Sequence, residues 1–299
     1  MSGKIRELKR RIKGINTMKQ LTKAMELVST SKYKKHQNLV IMSRPYTSAM
    51  ESILANIGDT IKDERHPLYL KCENLKTRLI ILLGSDRGLC GGYNTAVTKE
   101  FKSVFSTNEG VKNTLILIGT KLFEPFSQCE VIERYELPII EEGLEFCRRF
   151  VLMLIEKFLS KEVEEVVLVS TEFISTVSST VKSETLLPLV DLLPSGGLSS
   201  YEIETDSTGL IDGWDIPLLS QVETVLDALL PKYLTVKFYQ ALLESTASEQ
   251  ASRMRAMQNA SQNAKESIEV LNLELNRERQ SAITQENSEI IAGAEAIQG

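Results

Sequence analysis

The feature that most constrains this fold is a long C-terminal stretch that lacks both helix-breaking residues. Neither Gly nor Pro occurs between Pro231 and Gly293, and a helix of about sixty residues would be roughly 90 Å long. A narrow stripe at spacings of three and four runs along it, through Ala247, Ala251, Met254, Met257, Ser261, Ala264, Ile268, Leu271 and Leu275. Narrow seams of small and apolar residues are typical of two-helix coiled coils. The sequence therefore predicts a C-terminal coiled-coil helix over residues 218–299.

A helix of this length needs a partner, and the N-terminal segment supplies the candidate. A second stripe at the same spacing runs through Ile5, Leu8, Ile12 and Ile15 and, after a small phase shift around Met18, through Leu21, Met25 and Val28. At Pro45 we expect a bend rather than an end, because no other proline precedes it. The pattern predicts an N-terminal coiled-coil helix over residues 1–58.

The middle of the chain alternates apolar strands with helices. Continuous apolar runs at 78–83, 114–118 and 166–170 indicate buried strands, and helical patterns lie around 95–105 and 144–159. Strands of this kind separated by helices favour a parallel sheet that is covered on both faces. We therefore predict an α/β domain, Rossmann-like in its order of elements, over residues 72–215.

Composition excludes several classes of protein. The longest apolar runs fall far short of the roughly 20 residues that a membrane span needs, and the charged N-terminus lacks the apolar core of a secretory signal. The two histidines, His36 and His66, are expected to be solvated surface residues. Four scattered cysteines show no metal-ligand spacing and are expected to be free thiols in a reducing compartment: Cys72, Cys90, Cys129 and Cys147. We predict no catalytic, cofactor-binding or metal-binding residues.

One loop occupies the place where phosphate-binding loops lie, after a strand and before a helix. The segment 84–94 (GSDRGLCGGYN) lacks the lysine and hydroxyl of a phosphate loop and the spacing of a dinucleotide fingerprint. We interpret it as a tight turn whose glycines allow positive φ, with Cys90 as a small packed residue. A nucleotide-dependent enzyme built on this domain is accordingly the weakest functional hypothesis.

The charge is strongly uneven along the chain. Residues 1–35 contain eleven Lys and Arg against two acids, which gives +9 in a chain whose net charge is −5. Such a basic helix favours an anionic partner. A nucleic-acid partner remains an alternative, although no aromatic residue that could stack on a base precedes Tyr33. A merely solvated helix face is the other alternative.

At this point the residues resemble one family, the gamma subunits of F-type ATP synthases. The N-terminal helix is similar to the family's first helix at 5–12 (IRELKRRI) and 22–28 (TKAMELV), and the loop 85–94 (SDRGLCGGYN) is similar to its strand-to-helix turn. The C-terminal segments 247–257 (ASEQASRMRAM) and 282–294 (AITQENSEIIAGA) match its signature. The matches follow the family order over nearly the whole chain.

The resemblance implies an antiparallel coiled coil inside a hexamer of alpha and beta subunits, with the α/β domain outside that hexamer. It implies a rotor that couples ion-driven rotation of the membrane c-ring of a proton-translocating ATP synthase to ATP synthesis and hydrolysis at the beta subunits. The epsilon subunit is a further implied partner, whereas nucleic acid and direct membrane insertion are not expected. Acidic loops of the beta subunits would meet the basic helix. The implied partner contacts are Met25, Arg253, Arg279, Gln280 and Thr284.

Two departures from the family pattern bear on these expectations. The stretch 199–215 is longer and more acidic than the family leads us to expect. The paired-cysteine insert of the chloroplast form is absent, which argues against thiol regulation. With no clear transit peptide, this favours a peripheral subunit on the cytoplasmic side of a bacterial plasma membrane. The main alternative is a structural coiled-coil adaptor without a rotary role.

Overall fold

The chain divides into two compact units that do not follow the order of the sequence. The structure, a computed structural model, describes residues 3–60, 66–70, 72, 75–106, 110–189 and 218–298. One unit, here called the helix-pair unit, combines residues 1–32 with 250–299, and the other, the α/β unit, comprises residues 33–249. The predicted acidic stretch 199–215 lies outside the described residues. The predicted three-part division follows chain order, whereas these units combine segments from distant parts of the sequence.

Two long helices contribute to both units. Helix α1 (Gly3–Thr60) continues through Pro45, as expected, and helix α4 (Leu218–Gln298) continues through Pro231 and Gly293. In the helix-pair unit they run antiparallel, because Lys4 at the start of α1 contacts Glu278 while Lys23 and Glu26 line a groove with Gln258 and its neighbours. The long-helix architecture predicted from the sequence is confirmed.

The seam of α4 has the predicted register. Met257 and Ala264 are buried, and the stripe residues between and beyond them are half-buried: Ser261, Ile268, Leu271 and Leu275. The exposed positions between Met257 and Leu275 carry mostly Gln, Asn, Glu and Lys, with Ser267, Val270 and Leu273 as the exceptions. A narrow, partly exposed seam of this kind fits two helices that cover each other along one edge only.

The predicted phase shift in α1 is wrong. Protected positions recur without interruption every three or four residues, at 5, 8, 12, 15, 19, 22, 26, 29 and onward to 54. Thr22 and Ser29 are therefore in the seam, whereas Leu21 is 60% exposed and Val28 is 58% exposed. The prediction followed the apolar residues. The seam instead keeps its regular spacing through positions that carry hydroxyl and charged side chains in this part of α1.

The α/β unit is built on one sheet in the order β3-β2-β1-β4-β5. Strands β1 (Thr77–Leu83), β2 (Lys112–Ile118), β3 (Val131–Tyr135) and β4 (Glu165–Phe173) are parallel, and β5 (Ser179–Leu187) is an antiparallel edge strand. The predicted strands correspond to β1, β2 and β4. The sequence patterns did not reveal the edge strands β3 and β5.

Both faces of the sheet are covered, as predicted, because residues of β1 alternate between two apolar cores. Leu79 and Ile81 pack with α3 (Gly143–Leu159) and with α4 residues such as Phe238. Ile80 and Leu82 pack on the opposite face with α2 (Tyr93–Ser106). The sheet is thus held on one side by a short helix and on the other by α3 together with the long helices.

Both histidine expectations are wrong. His36 is only 8% exposed and occupies a seam position of α1. The His66 side chain accepts a hydrogen bond from the Leu68 amide at Nδ1, and its Nε2 lies 2.9 Å from the Asp227 carboxylate of α4. A loop histidine therefore joins two segments of the α/β unit. The four cysteines are free, with Cys90 and Cys147 buried.

Candidate partner-binding surface

Three of the five implied partner contacts lie together on one exposed stretch of α4. Arg279, Gln280 and Thr284 are all exposed, within little more than one helical turn. The Thr284 hydroxyl donates to the Gln280 carbonyl at 3.0 Å, which satisfies it within the helix. The guanidinium and amide groups point outward and can offer several donors to another chain.

The other two implied contacts are placed differently. Met25 is half-buried beside the α1 seam, and Arg253 is only 6% exposed. Arg253 is therefore packed within the chain, unlike Arg279, and the structure does not bring it together with the exposed group at 279–284. A sequence motif alone does not distinguish these two arginines, because both follow a similar helical pattern.

The helix-pair unit contains a polar groove that the sequence patterns did not predict. It has a volume of about 410 Å³ and is lined by Lys23, Glu26, Gln258, Asn259, Ser261 and Gln262. Lys23 and Glu26, three residues apart on α1, form an ion pair at 3.0 Å on one wall of it. The groove arises where the α1 seam is polar, so its lining can hydrogen-bond a polar or charged segment of another protein.

The same part of α1 presents an apolar surface. Met18, Leu21 and Leu27 are each 60% exposed, and Val28 is 58% exposed. Several large apolar side chains on one exposed helix mark a surface that another protein can cover. Earlier on the same helix, Lys9, Arg10 and Lys13 are exposed and form no ion pair with any described residue. The surface is thus both apolar and basic.

The electrostatics at the start of α1 are set by α4. Lys4 contacts Glu278 at 2.6 Å and Glu274 at 4.0 Å, and the hydrogen bond to Glu278 raises the pKa of the Lys4 ammonium. Lys4 is well exposed and Glu278 is partly exposed, so the ion pair between them contributes little to stability. It does show which segments of the helices face each other.

The loop after β1 uses its polar groups internally. Asn94 accepts from the Ser85 amide at 3.1 Å and donates to the Ser85 hydroxyl at 2.8 Å. The Asp86 carboxylate accepts from the amides of Thr120 and Leu137, both at 3.0 Å. In α/β proteins that bind nucleotides, backbone amides at this end of the sheet contact phosphate. Here two such amides already donate hydrogen bonds to the Asp86 carboxylate of the chain itself.

The loop conformation agrees in part with the tight turn predicted from its glycines. Gly91 has φ +59°, and Leu89 has φ +63° although it carries a side chain. Cys90 is 3% exposed, with its sulfur 3.6 Å from the Ser85 hydroxyl, so it is a packed residue as predicted. Among the described residues, no group of three or more His, Cys, Asp or Glu side chains is placed to hold a metal ion. No described helix is long and apolar enough to cross a membrane.

Fold and surface together define a class: a protein with two long antiparallel helices and a Rossmann-like α/β unit, whose exposed surfaces suit other proteins. The comparisons with known proteins are specific about the family. A family model described as ATP synthase matches residues 4–297. The chain is 36% identical to the ATP synthase gamma chain of Fusobacterium nucleatum, over 98% of this chain and 99% of that one. It is 35% identical to the ATP synthase gamma chain of Chlorobium chlorochromatii, over 99% of both chains.

Solved structures show the same fold. A chain of the Euglena gracilis mitochondrial ATP synthase, from an OSCP, F1 and c-ring assembly, superposes with a TM-score of 0.64 at 17% identity. The match covers 99% of this chain and 95% of that one. A chain of the Tetrahymena thermophila central stalk and c-ring gives 0.56 at 23% identity, over 81% and 99%. The chain belongs to the ATP synthase gamma chain family.

Proposed function

We propose that this chain is the central-stalk rotor subunit of a proton-translocating F-type ATP synthase. It couples ion-driven rotation of the membrane c-ring to ATP synthesis and hydrolysis at the beta subunits of an alpha–beta hexamer. The epsilon subunit is its further partner, and the chain itself carries no catalytic residue. Its place is peripheral, on the cytoplasmic side of a bacterial plasma membrane, since its gamma-chain relatives named above are bacterial.

The observation that carries this proposal is the exposure of the end of α4. Every residue from 283 to 294 is exposed, so this part of the helix packs on no described part of the chain. At 1.5 Å per residue it is about 18 Å long. An isolated helix of this length is marginal in water. The same residues hold the segment that matches the family signature, so a partner surrounding this end would stabilise the helix.

The surface of α1 supports the same proposal. Its exposed apolar residues at 18, 21, 27 and 28 lie on a helix whose seam is already occupied by α4. Lys9, Arg10 and Lys13, which are exposed on the same helix, are opposite in charge to the acidic beta-subunit loops that the family resemblance implies. Single exposed ion pairs contribute only about 0–1 kcal/mol each, so the basic face would act as a group.

Assembly and rotation test the proposal directly. The chain is co-expressed with the alpha and beta subunits of its own organism, and the complex is purified. A bead is attached to the introduced cysteine of a Ser183→Cys variant that also carries Cys72→Ser, because Cys72 is exposed. We expect a stable complex whose bead rotates in steps when ATP is added. A chain that never co-purifies with the hexamer, or a complex that hydrolyses ATP with a stationary bead, would contradict a rotary role. An adaptor would give the second result.

The exposed group on α4 gives a residue-level test of the same proposal. We expect Arg279→Ala and Gln280→Ala each to lower ATP turnover per assembled complex at least about threefold, since a charged hydrogen bond contributes roughly 1.5–3 kcal/mol. Arg148→Ala is the matched control, because Arg148 is an exposed arginine of the α/β unit, 70% exposed at its side chain. Equal turnover for the α4 variants and the unmutated complex would remove these residues from the contacts that matter.

A further inference from the structure

Among the residues that the structure describes, no strand pairs with the C-terminal end of β4 on the side of β1. Strand β1 pairs with β4 only as far as Leu82, opposite Val169. Beyond that point β4 pairs with β5 alone, through to Phe173 opposite Ser179. Successive residues of a strand direct their backbone groups to alternate sides. Thr171 and Phe173 therefore direct their amides to the side that β1 has left.

Side chains of the long helices occupy this open side. The Thr171 amide donates to the Ser245 hydroxyl at 3.0 Å, and the Phe173 amide donates to the Glu244 carboxylate at 3.2 Å. The Phe173 carbonyl accepts from the Arg44 guanidinium at 2.7 Å. Two side chains of α4 and one of α1 thus replace the hydrogen bonds of a missing strand.

This group, here called the polar joint, is closely connected, and its members are buried except for the Arg44 side chain, which is 44% exposed. Thr171, Phe173, Glu244 and Ser245 are each 5% exposed or less. One oxygen of Glu244 also accepts two hydrogen bonds from Arg44 at 3.2 Å, so the carboxylate joins α1 to α4 and both to the sheet. All five residues belong to the α/β unit.

The joint differs in kind from the apolar core around it. Apolar contacts are nondirectional, so they set the angle of a helix on a sheet less sharply than hydrogen bonds do. Hydrogen bonds weaken steeply when the donor–acceptor distance or angle departs from its range. Three hydrogen bonds to one strand end, two of them buried and one part-buried, therefore resist sliding and rotation of the helices against the sheet.

We propose that the polar joint of Arg44, Glu244 and Ser245 is the element through which torque passes between the sheet and the long helices. This inference rests on the rotor function proposed above. Arg44, Glu244 and Ser245 act as positioning residues: through their bonds to β4 they hold the helices at a fixed angle to the sheet under load.

The experiment uses inverted membrane vesicles that carry the assembled complex with Ser245→Ala, Glu244→Gln or the unmutated chain. Ser183→Ala is the matched control, because the Ser183 hydroxyl is an exposed group of β5 that contacts Glu100 outside the joint. ATP hydrolysis is measured without a proton gradient, and the largest gradient that ATP hydrolysis can build is then measured. A loss that appears only under load is specific to torque transmission, since a merely unstable subunit would lower both values together.

Hydrogen exchange of the segment 166–174 shows whether the joint has been broken. We expect Ser245→Ala to exchange at least about tenfold faster there, because local opening no longer breaks a hydrogen bond to the helix. We expect a smaller increase for Glu244→Gln, because glutamine leaves one acceptor oxygen for which the Phe173 amide and Arg44 compete. We expect unloaded hydrolysis to stay within about twofold of the unmutated rate and the maximal gradient to fall at least about twofold. Faster exchange with an unchanged maximal gradient would overturn the proposal, as would unchanged exchange.

Failure of the rotor function gives a different result. If the unmutated chain does not enter the complex, the proposed function fails and the torque assignment fails with it. If the unmutated complex pumps and the joint variants pump equally well against the gradient, the rotor function stands and only the joint is refuted. Ser245→Ala removes a single hydroxyl, so it keeps the test available if Glu244→Gln does not fold.

Discussion

Gly119, the residue after β2, is the position where a single added methyl group should disturb the α/β unit most. Its φ is +113°, and a Cβ built on it would lie 2.7 Å from the Gly84 carbonyl carbon and 2.8 Å from the Ser85 nitrogen. Both atoms are backbone, so neither can turn away as a side chain would. To reach an ordinary contact of 3.4 Å the two backbones would have to separate by 0.7 Å, the difference between 3.4 and 2.7.

That separation would strain the hydrogen bonds that close the loop on both sides. The Gly84 amide donates to the Ile118 carbonyl, and the Gly119 amide donates to the Tyr135 carbonyl, both at 2.8 Å. An L-residue held at positive φ costs about 1–2 kcal/mol. Overpacking adds about 1–3 kcal/mol, so Gly119→Ala should cost roughly 2–5 kcal/mol in total. For a unit of this size, that lowers the midpoint of thermal unfolding by roughly 10 °C.

Gly110→Ala is a matched control that separates the two causes. Gly110 also has positive φ, at +102°, but nothing lies within 4 Å of its hypothetical Cβ. It should therefore cost only the conformational penalty of about 1–2 kcal/mol, or roughly 5 °C. Circular dichroism on heating measures both variants in the isolated chain. Equal midpoints for the two would refute the claim that the approach of Gly84 to Gly119 is rigid.

Two further predictions concern the helix-pair unit and the buried thiols. Ile268→Asp should lower the free energy of unfolding by about 1–3 kcal/mol, because it places a carboxylate in the seam. Val270→Asp, at a 64% exposed position, should change it by less than about 0.5 kcal/mol. Equal melting curves for the two variants would place Ile268 outside the seam. Burial raises the pKa of the Cys147 thiol from 9.0 to about 12, so at pH 8 its reactive thiolate is about a thousandfold scarcer. Iodoacetamide should therefore modify exposed Cys72 in the folded chain and Cys147 only after denaturation, and mass spectrometry showing equal rates would contradict this.

The central strands could be predicted from sequence because their environment is simple. Strands β1, β2 and β4 are covered on both faces, so continuous apolar runs identify them. The edge strands pair on one side only. Strand β5 (STVKSETLL) is largely exposed until its last two residues, and β3 (VIERY) alternates between half-buried and exposed positions. Their sequences carry little apolar signal because little of their surface is buried.

Polar residues with long-range partners could not be placed from sequence. His66 lies 161 positions from Asp227, and Glu244 lies 200 positions from Arg44. No local sequence pattern indicates pairs of residues that are so far apart along the chain. The exposed group Arg279, Gln280 and Thr284 came from family resemblance, which does not reveal that Arg253 is buried in this chain. Motif matching transfers residue types, whereas burial depends on how the whole chain packs.

The α1 seam shows how a local apolar pattern and the actual contact can differ, and it yields a decisive test. The sequence pattern places Leu21 and Val28 against α4. In the structure Ser29 is in the seam and only 2% exposed, whereas Leu21 is 60% exposed and Val28 is 58% exposed. Replacement of each by aspartate introduces the same side chain into the same helix, and differences in intrinsic helix propensity among the three changes stay below about 0.7 kcal/mol. In the isolated chain, Leu21→Asp and Val28→Asp should change stability by less than about 0.5 kcal/mol, while Ser29→Asp should cost about 2 kcal/mol or more. Thermal unfolding followed by circular dichroism compares the three variants. If Leu21→Asp and Val28→Asp melt earlier than Ser29→Asp, the seam follows the apolar residues, and the exposed surface that we assign to partner subunits is instead part of the helix pair.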